Sequence, residues 1–257
     1  MIEYASEQGI ATITLARPER RNALSAGMIV ALGEALARAG ADPDCRCVVV
    51  QGSDGNFCSG RELGSPPEPT LPSVLAYDEA YARVFTRLRQ LDKPSIAAVD
   101  GYAVAGGFTV AMGCDFVVAT EQARFGALEL KNGFPAAMNT ALLAHLGPPR
   151  LMLEWLLTGD LIPARRLYEL GLINHLAADA EAMQLATRAL AGTLAQVDPD
   201  AARLGREAFQ VARDMPLDGA LAYGKNLNAL LLASGRIAEA ADTFARRQRQ
   251  RRGQVPD

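Results

Sequence analysis

The chain has 257 residues, and its 26 basic against 29 acidic side chains give a formal charge of -3, with an isoelectric point near 5.6. A chain of this size buries enough surface to fold without disulfide staples, and its charge leaves no general field that would gather nucleic acid. The uncharged stretch between Asp100 and Asp115 is too short to span a membrane, and no basic start with a long apolar run marks a signal peptide.

In chain order, alternation predicts strands at Ile2–Glu7 and 10–16 around Gln8-Gly9, and helical periodicity predicts a helix over 28–39 after the start signals Asn22 and Ser25. The apolar run 47–51 reads as a buried strand. Residues 52–72 follow as a loop too long for a plain connector, with Pro66, Pro67, Pro69 and Pro72 in its second half. A helix over 74–91 is stopped by Pro94, and Ser95–Val99 reads as a strand entering the glycine-rich stretch 101–107. Two short strands, 116–119 and 124–125, precede helices punctuated by Pro135, Pro148, Pro149 and Pro163, and 173–176 is the last strand expected. After Asp179 every segment reads as amphipathic helix, with breaks at Asp198-Pro199, Met215-Pro216 and Gly235. The arginine-rich stretch 246–252 reads as a solvated helix end.

Cys45, Cys47, Cys58 and Cys114 show no CxxC spacing and sit in apolar runs, as reduced thiols of a cytoplasmic protein do. His145 and His175 lack ligand partners in sequence, so packing or surface placement is expected of them and no metal. Two glycine-bearing loops matter more: Phe57-Cys58-Ser59-Gly60-Arg61-Glu62-Leu63 and residues 100–107. Neither matches a dinucleotide or phosphate-loop motif. Such loops present bare backbone N–H groups. If the peptides of Arg61 and Gly106 face one cleft, they offer two donors to an oxygen that becomes anionic, each worth about 3–4 kcal/mol in the transition state. The bland alternative is that Gly106-Gly107 merely allows close helix packing.

Together these residues resemble the enoyl-CoA hydratase/isomerase (crotonase) family. The likeness runs through Leu15-Ala16-Arg17-Pro18, Asn22-Ala23-Leu24, the Phe57-to-Leu63 motif, Lys93-Pro94, residues 100–107, Cys114-Asp115, Phe125-Gly126-Ala127-Leu128-Glu129, Leu157-Thr158-Gly159 and Gly171-Leu172-Ile173. It implies an α/β fold, a crotonase-like spiral of strand-strand-helix units over 1–195 with a C-terminal helical trimerisation region at 196–257. It further implies a thioester oxygen held by the N–H groups of Arg61 and Gly106, with Gly107 beside them. The CoA adenine is expected against Ser59, Gly60 and Leu63, and the pantetheine along Arg21, Ala23 and Leu24. Coenzyme A is then part of the substrate, no further cofactor is needed, and the assembly is a homotrimer or a dimer of trimers.

The departures from the family pattern bear on the reaction. Hydratases carry two glutamates; here the first position is Thr109 and the second is Glu129. Hydration suits paired carboxylates, whereas moving a double bond needs one base. Double-bond isomerisation by Glu129 therefore ranks first, hydration (or hydratase-lyase action on an aromatic propenoyl-CoA) second, and a silent acyl-CoA binder third. Thr109 reads equally as a water holder or as helix filler. Pro135-Ala136-Ala137-Met138-Asn139 replaces a glycine-rich helix start, which reshapes the acyl end of the cleft. The Arg61 guanidinium is expected to pair with Glu62 or to reach a CoA phosphate. Cys58 reads as a buried thiol, and Tyr77 and Tyr81 as lining the acyl pocket or the core.

Overall fold

The computed structural model describes residues 1–62 and 70–238. Two compact units divide the chain, Met1–Ala202 and Arg203–Asp257, seven residues beyond the boundary expected at 195.

In the first unit, β1 (Ile2–Glu7), β2 (Ile10–Leu15), α1 (Ala26–Ala41), β3 (Cys47–Gly52), α2 (Leu71–Gln90), β4 (Ser95–Val99), β5 (Tyr102–Val104) and α3 (Gly106–Gly113) come first. They are followed by β6 (Phe116–Thr120), β7 (Arg124–Gly126), α4 (Ala137–Leu143), α5 (Pro149–Thr158), β8 (Ile162–Pro163), α6 (Ala164–Glu169), β9 (His175–Ala177) and α7 (Ala180–Ala195). Two helices, α8 (Pro199–Arg213) and α9 (Leu217–Ala233), complete the described chain, and the expected breaks at Pro199, Pro216 and Gly235 fall at their ends.

The large sheet has the order β1-β2-β3-β4-β6-β9, antiparallel only at β1-β2. Strands buried on both faces read as continuous apolar runs, which is why β3 shows no alternation in sequence. Its side chains nevertheless divide by period two: Cys47 and Val49 join Ile96, Ala98, Val118 and α7's Met183, whereas Val48 and Val50 join the main core under α1 and α2. A second sheet, β5-β7-β8, was not expected. Of its strands β7 was expected, at 124–125; β5 and β8 are three and two residues long, too short to show a period, and β5 lies between two left-handed residues, Gly101 (φ 57°) and Ala105 (φ 48°).

Two further differences have local causes. Ser25 caps α1, accepting from Met28 N at 3.3 Å, but Asn22 is no helix start. Its buried carboxamide accepts from Arg17 N (2.8 Å) and donates to the carbonyls of Ser53 (2.9 Å) and Asn56 (2.7 Å), tying the segment before α1 to the loop after β3. At the sheet edge the expected strand 173–176 shifts to β9, because Asn174 Oδ1 takes the N–H of Val117 at 2.9 Å in place of a backbone carbonyl.

Lys93 closes the other end of α1, its ammonium donating to the carbonyls of Ala39 (2.5 Å), Gly40 (2.8 Å) and Asp42 (2.6 Å). A cation suits the negative end of the helix dipole, and these acceptors would otherwise lack intrahelical donors. Replacing it by an isosteric apolar side chain strands half-buried carbonyls. Lys93→Met is expected to lower stability by about 2–3 kcal/mol in urea unfolding; a loss below about 0.5 kcal/mol contradicts the capping role.

Candidate active site

Because β3 and β4 are parallel neighbours, both chains leave the sheet at the same edge, and the segments after them run side by side. Residues 57–62 lie between two partners. On one side Phe57 N donates to Asp100 O (2.8 Å), Cys58 N to Tyr102 O (2.8 Å) and Val104 N to Cys58 O (3.0 Å). On the other, Ser59 N donates to Arg21 O (3.0 Å), Leu24 N to Gly60 O (2.8 Å) and Glu62 N to Leu24 O (3.0 Å). Leu24 thus engages the residues flanking Arg61, as in a parallel bridge, so Arg61's own N–H faces away from it.

It faces the start of α3. A Cβ on Gly60 (φ 103°) would stand 3.3 Å from Gly106 N, and one on Gly106 would stand 3.2 Å from Arg61 N and 2.7 Å from the Tyr81 hydroxyl. The peptides of Arg61 and Gly106 are neighbours, and side chains at those glycines would fill the space between them. Among the described residues neither N–H has an acceptor. Gly107 serves differently: a Cβ there would lie 2.3 Å from Cys58 O, so this glycine permits close helix packing. Both sequence readings of the Gly-Gly pair describe part of the structure.

The residue before them is strained. Ala105 has φ 48° and ψ -125°, a conformation that costs a non-glycine residue about 1–3 kcal/mol. Hydrogen bonds on both sides impose it: Ala105 N donates to Gly126 O (2.7 Å), and its carbonyl accepts from Phe108 N (3.0 Å) and Asn139 Nδ2 (3.1 Å).

Glu129 stands on a single 3-10 turn, Leu128–Asn132, closed by left-handed Gly133. Its Oε1 accepts from Asn139 Nδ2 at 2.9 Å; its Oε2 is buried with no hydrogen-bond partner among the described residues. Burial pushes the carboxyl above its ordinary range, opposed by its own backbone N–H, by Asn139 and by the Arg61 guanidinium. Asn139 is in turn held by Thr109, whose Oγ1 lies 2.7 Å from Asn139 Oδ1. Thr109 and Asn139 are 2% and 1% exposed, so Thr109 is a buried link rather than helix filler. Sequence reading missed Asn139 as a functional residue. The available signal was its spacing from buried Ala136 and Leu143, which puts a carboxamide on the inward face of α4, where its polar atoms need partners.

The Arg61 guanidinium pairs with Asp78 and lies over the rings of Tyr77 (5.1 Å) and Tyr81 (4.8 Å). It does not pair with Glu62, because Arg17 reaches that carboxylate first, at 2.8 Å. Tyr81 is buried and donates to Gly106 O at 2.8 Å, while the Tyr77 hydroxyl is buried without a partner among the described residues. Burial drives the Cys58 thiol up to about 12, which removes it as a nucleophile.

Of the remaining predicted contacts, Ser59 Oγ donates to Arg20 O (3.1 Å), and left-handed Arg21 lies 5.8 Å from the Tyr102 ring. Ala23 N donates to Arg20 O at 3.1 Å, Leu24 is fully buried, and exposed Pro135 precedes α4. Leu63 and residues 246–252 lie outside the described residues. His145 and His175 are exposed.

A family model described as enoyl-CoA hydratase/isomerase matches residues 5–252. The chain belongs to the enoyl-CoA hydratase/isomerase family. It is an acyl-CoA enzyme of that family with the crotonase fold. A Thermus thermophilus protein named as an enoyl-CoA hydratase is 36% identical over 241 residues, covering 91% of this chain and 94% of its own. The (E)-benzylidenesuccinyl-CoA hydratase of Thauera aromatica is 31% identical over 241 residues, covering 93% of each. Among solved structures, an enoyl-CoA hydratase from Polaromonas sp. JS666 superposes with a TM-score of 0.87 at 33% identity, covering 96% of this chain and 97% of its own.

Burial of Glu129 has a linked effect on stability. A carboxyl whose folded pKa is raised contributes stability that is fully present below its unfolded value, near about 4.3, and is lost as pH rises through the folded value. Glu129→Gln is therefore expected to gain stability relative to the native chain as pH rises from about 4.3 through the raised folded value, a window followed by urea unfolding from acid to neutral pH. A gap that stays constant across that window contradicts the buried, raised carboxyl.

Proposed function

We propose that this enzyme moves the double bond of an enoyl-CoA thioester, with Glu129 as the single base and the N–H groups of Arg61 and Gly106 as the oxyanion donors. One observation carries the reading: among the described residues, Glu129 is half-buried with one carboxylate oxygen held by Asn139 and the other buried without a partner. At the position of the missing second carboxylate, the Thr109 hydroxyl is committed to Asn139 and cannot accept a proton near neutral pH.

In the proposed step Glu129 Oε2 takes a proton from C2 of a 3-enoyl thioester. The electron pair moves into a dienolate whose oxygen rests on the two N–H groups, and the same carboxyl returns the proton to C4, leaving the double bond between C2 and C3. Only a carboxylate and two preorganised donors are asked for, so coenzyme A enters as part of the substrate and no metal takes part. The family likeness puts the adenine near Ser59 and Gly60, the pantetheine along the segment of Arg21 and Ala23, and the acyl end towards exposed Pro135. The family likeness implies a homotrimer or a dimer of trimers, and exposed Phe209, Leu217, Leu221, Leu230 and Leu232 on α8 and α9 supply apolar surface for contact between copies.

Hydration is the second reading, and the names of the relatives favour it. Absorbance of the conjugated thioester separates the two. Conjugation gained from 3-enoyl-CoA supports isomerisation, conjugation lost from 2-enoyl- or feruloyl-type CoA supports hydration, and binding without either change marks a silent binder. Glu129→Gln is expected to lose about 10²–10⁴-fold in kcat on 3-enoyl-CoA; full retention of activity overturns the base.

A further inference from the structure

We propose that Asn139 is a positioning residue that holds the base and an oxyanion donor in one fixed relation. One N–H of its carboxamide goes to Glu129 Oε1 at 2.9 Å, and the other goes to Ala105 O at 3.1 Å. The inference rests on the roles given above to Glu129 and to the Gly106 N–H.

The carbonyl of Ala105 and the N–H of Gly106 belong to one planar peptide and point in opposite directions. Anchoring the oxygen therefore aims the N–H, and accepting hydrogen bonds at the oxygen strengthens the N–H as a donor. The strained Ala105 carbonyl also accepts from Phe108 N (3.0 Å), Thr109 N (3.3 Å) and Thr109 Oγ1 (3.4 Å), all of α3; Asn139 adds the contact that comes from α4 and ties this peptide to Glu129. The same side chain stops the Glu129 carboxylate from rotating and leaves Oε2 as the one oxygen free to move a proton.

The network itself fixes the orientation of the amide. Turned over, Oδ1 would face a carbonyl and a carboxylate, both acceptors, and Nδ2 would face Thr109. Two coplanar donors and one acceptor on a short side chain are what asparagine supplies; aspartate and leucine, of similar size, supply none of the donors. Thr109 completes the chain by holding Oδ1, so a residue on α3 and one on α4 together bring a charge on the 3-10 turn into register with the first peptide of α3.

Few charges compete with this arrangement. Neither α3 nor α4 carries a titratable side chain. The Arg61 guanidinium, itself paired with Asp78 of α2, favours the charged form of Glu129; α2 also brings the hydroxyls of Tyr77 and Tyr81, and Lys131 on the same 3-10 turn is exposed and paired with Asp160. On α5, packed against the 3-10 turn, Arg150 and Glu154 are exposed. Among the described residues Asn139 is the one side chain that donates a hydrogen bond to this carboxylate.

The test uses the full chain with Asn139→Asp, Asn139→Ala and Thr109→Val. The readouts are kcat, KM and the acid limb of kcat/KM on 3-enoyl-CoA, together with exchange of the α-protons of a saturated acyl-CoA into D2O, which needs enolate formation alone. Both Asn139 variants are expected to lose about 10–100-fold in kcat and in exchange, with KM within about threefold. Their acid limb is expected to move to higher pH, further in Asn139→Asp because a second carboxylate then faces Glu129. Thr109→Val, which keeps the size and removes the hydroxyl, is expected to show smaller changes in the same direction; it carries the test if the Asn139 variants do not fold. An acid limb that stays in place in the folded variants, with losses confined to KM or to melting temperature, overturns the proposal. Failure of the underlying reading looks different: Glu129→Gln would then keep its activity and its exchange.

Discussion

A carboxylate taken out of water must be held by donors or give up its charge, and Glu129 is held by its turn's backbone, by the field of Arg61 and by one side-chain donor, Asn139, on one oxygen. That imbalance organises the site. The held oxygen fixes direction, while burial raises the proton affinity of the carboxyl, as the proposed role of base asks. Fully satisfied, the carboxylate would be more stable and less basic. Fully unsatisfied, it would stay protonated.

The sheet makes this geometry possible. Parallel β3 and β4 deliver two loops to the same end of the sheet, and residues 57–62, in the loop after β3, run between the segment after β4 and the segment 21–24 with hydrogen bonds to both. A segment pinned on both sides has little freedom, so the direction of the Arg61 N–H follows from the bridge to Leu24. On the facing loop the aim of the Gly106 N–H comes from local strain at Ala105, clamped by Gly126, Phe108 and Asn139. Rigidity on one wall and imposed strain on the other bring side by side two N–H groups with no acceptor among the described residues, the arrangement that the proposed oxyanion role asks for.

The long elements were legible in sequence because their signals are long: α1, α7 and the strands of the large sheet carry periodicity or apolar runs, and the proline breaks of the C-terminal helices fall where they were read. The second sheet was invisible because β5 and β8 are shorter than any period. At the site, glycine spacing and family likeness pointed to Arg61, Gly106 and Glu129, whereas the partner of the Arg61 guanidinium turned on which arginine reached Glu62. Asn139 escaped for a related reason. Its meaning lies in contacts 30, 34 and 10 residues away along the chain, with Thr109, Ala105 and Glu129, and local pattern cannot register such distances. The absence of one glutamate was plain in the sequence; the chain of hydrogen bonds standing in its place was not.

The most direct measurement is a crystal structure with a 3-ketoacyl-CoA bound as its enolate. The thioester oxygen is expected within about 2.7–3.1 Å of both Arg61 N and Gly106 N, with Glu129 Oε2 the nearest polar atom to C2. An oxygen bound away from either N–H group, or a Glu129 carboxylate turned from C2, would contradict the proposed roles.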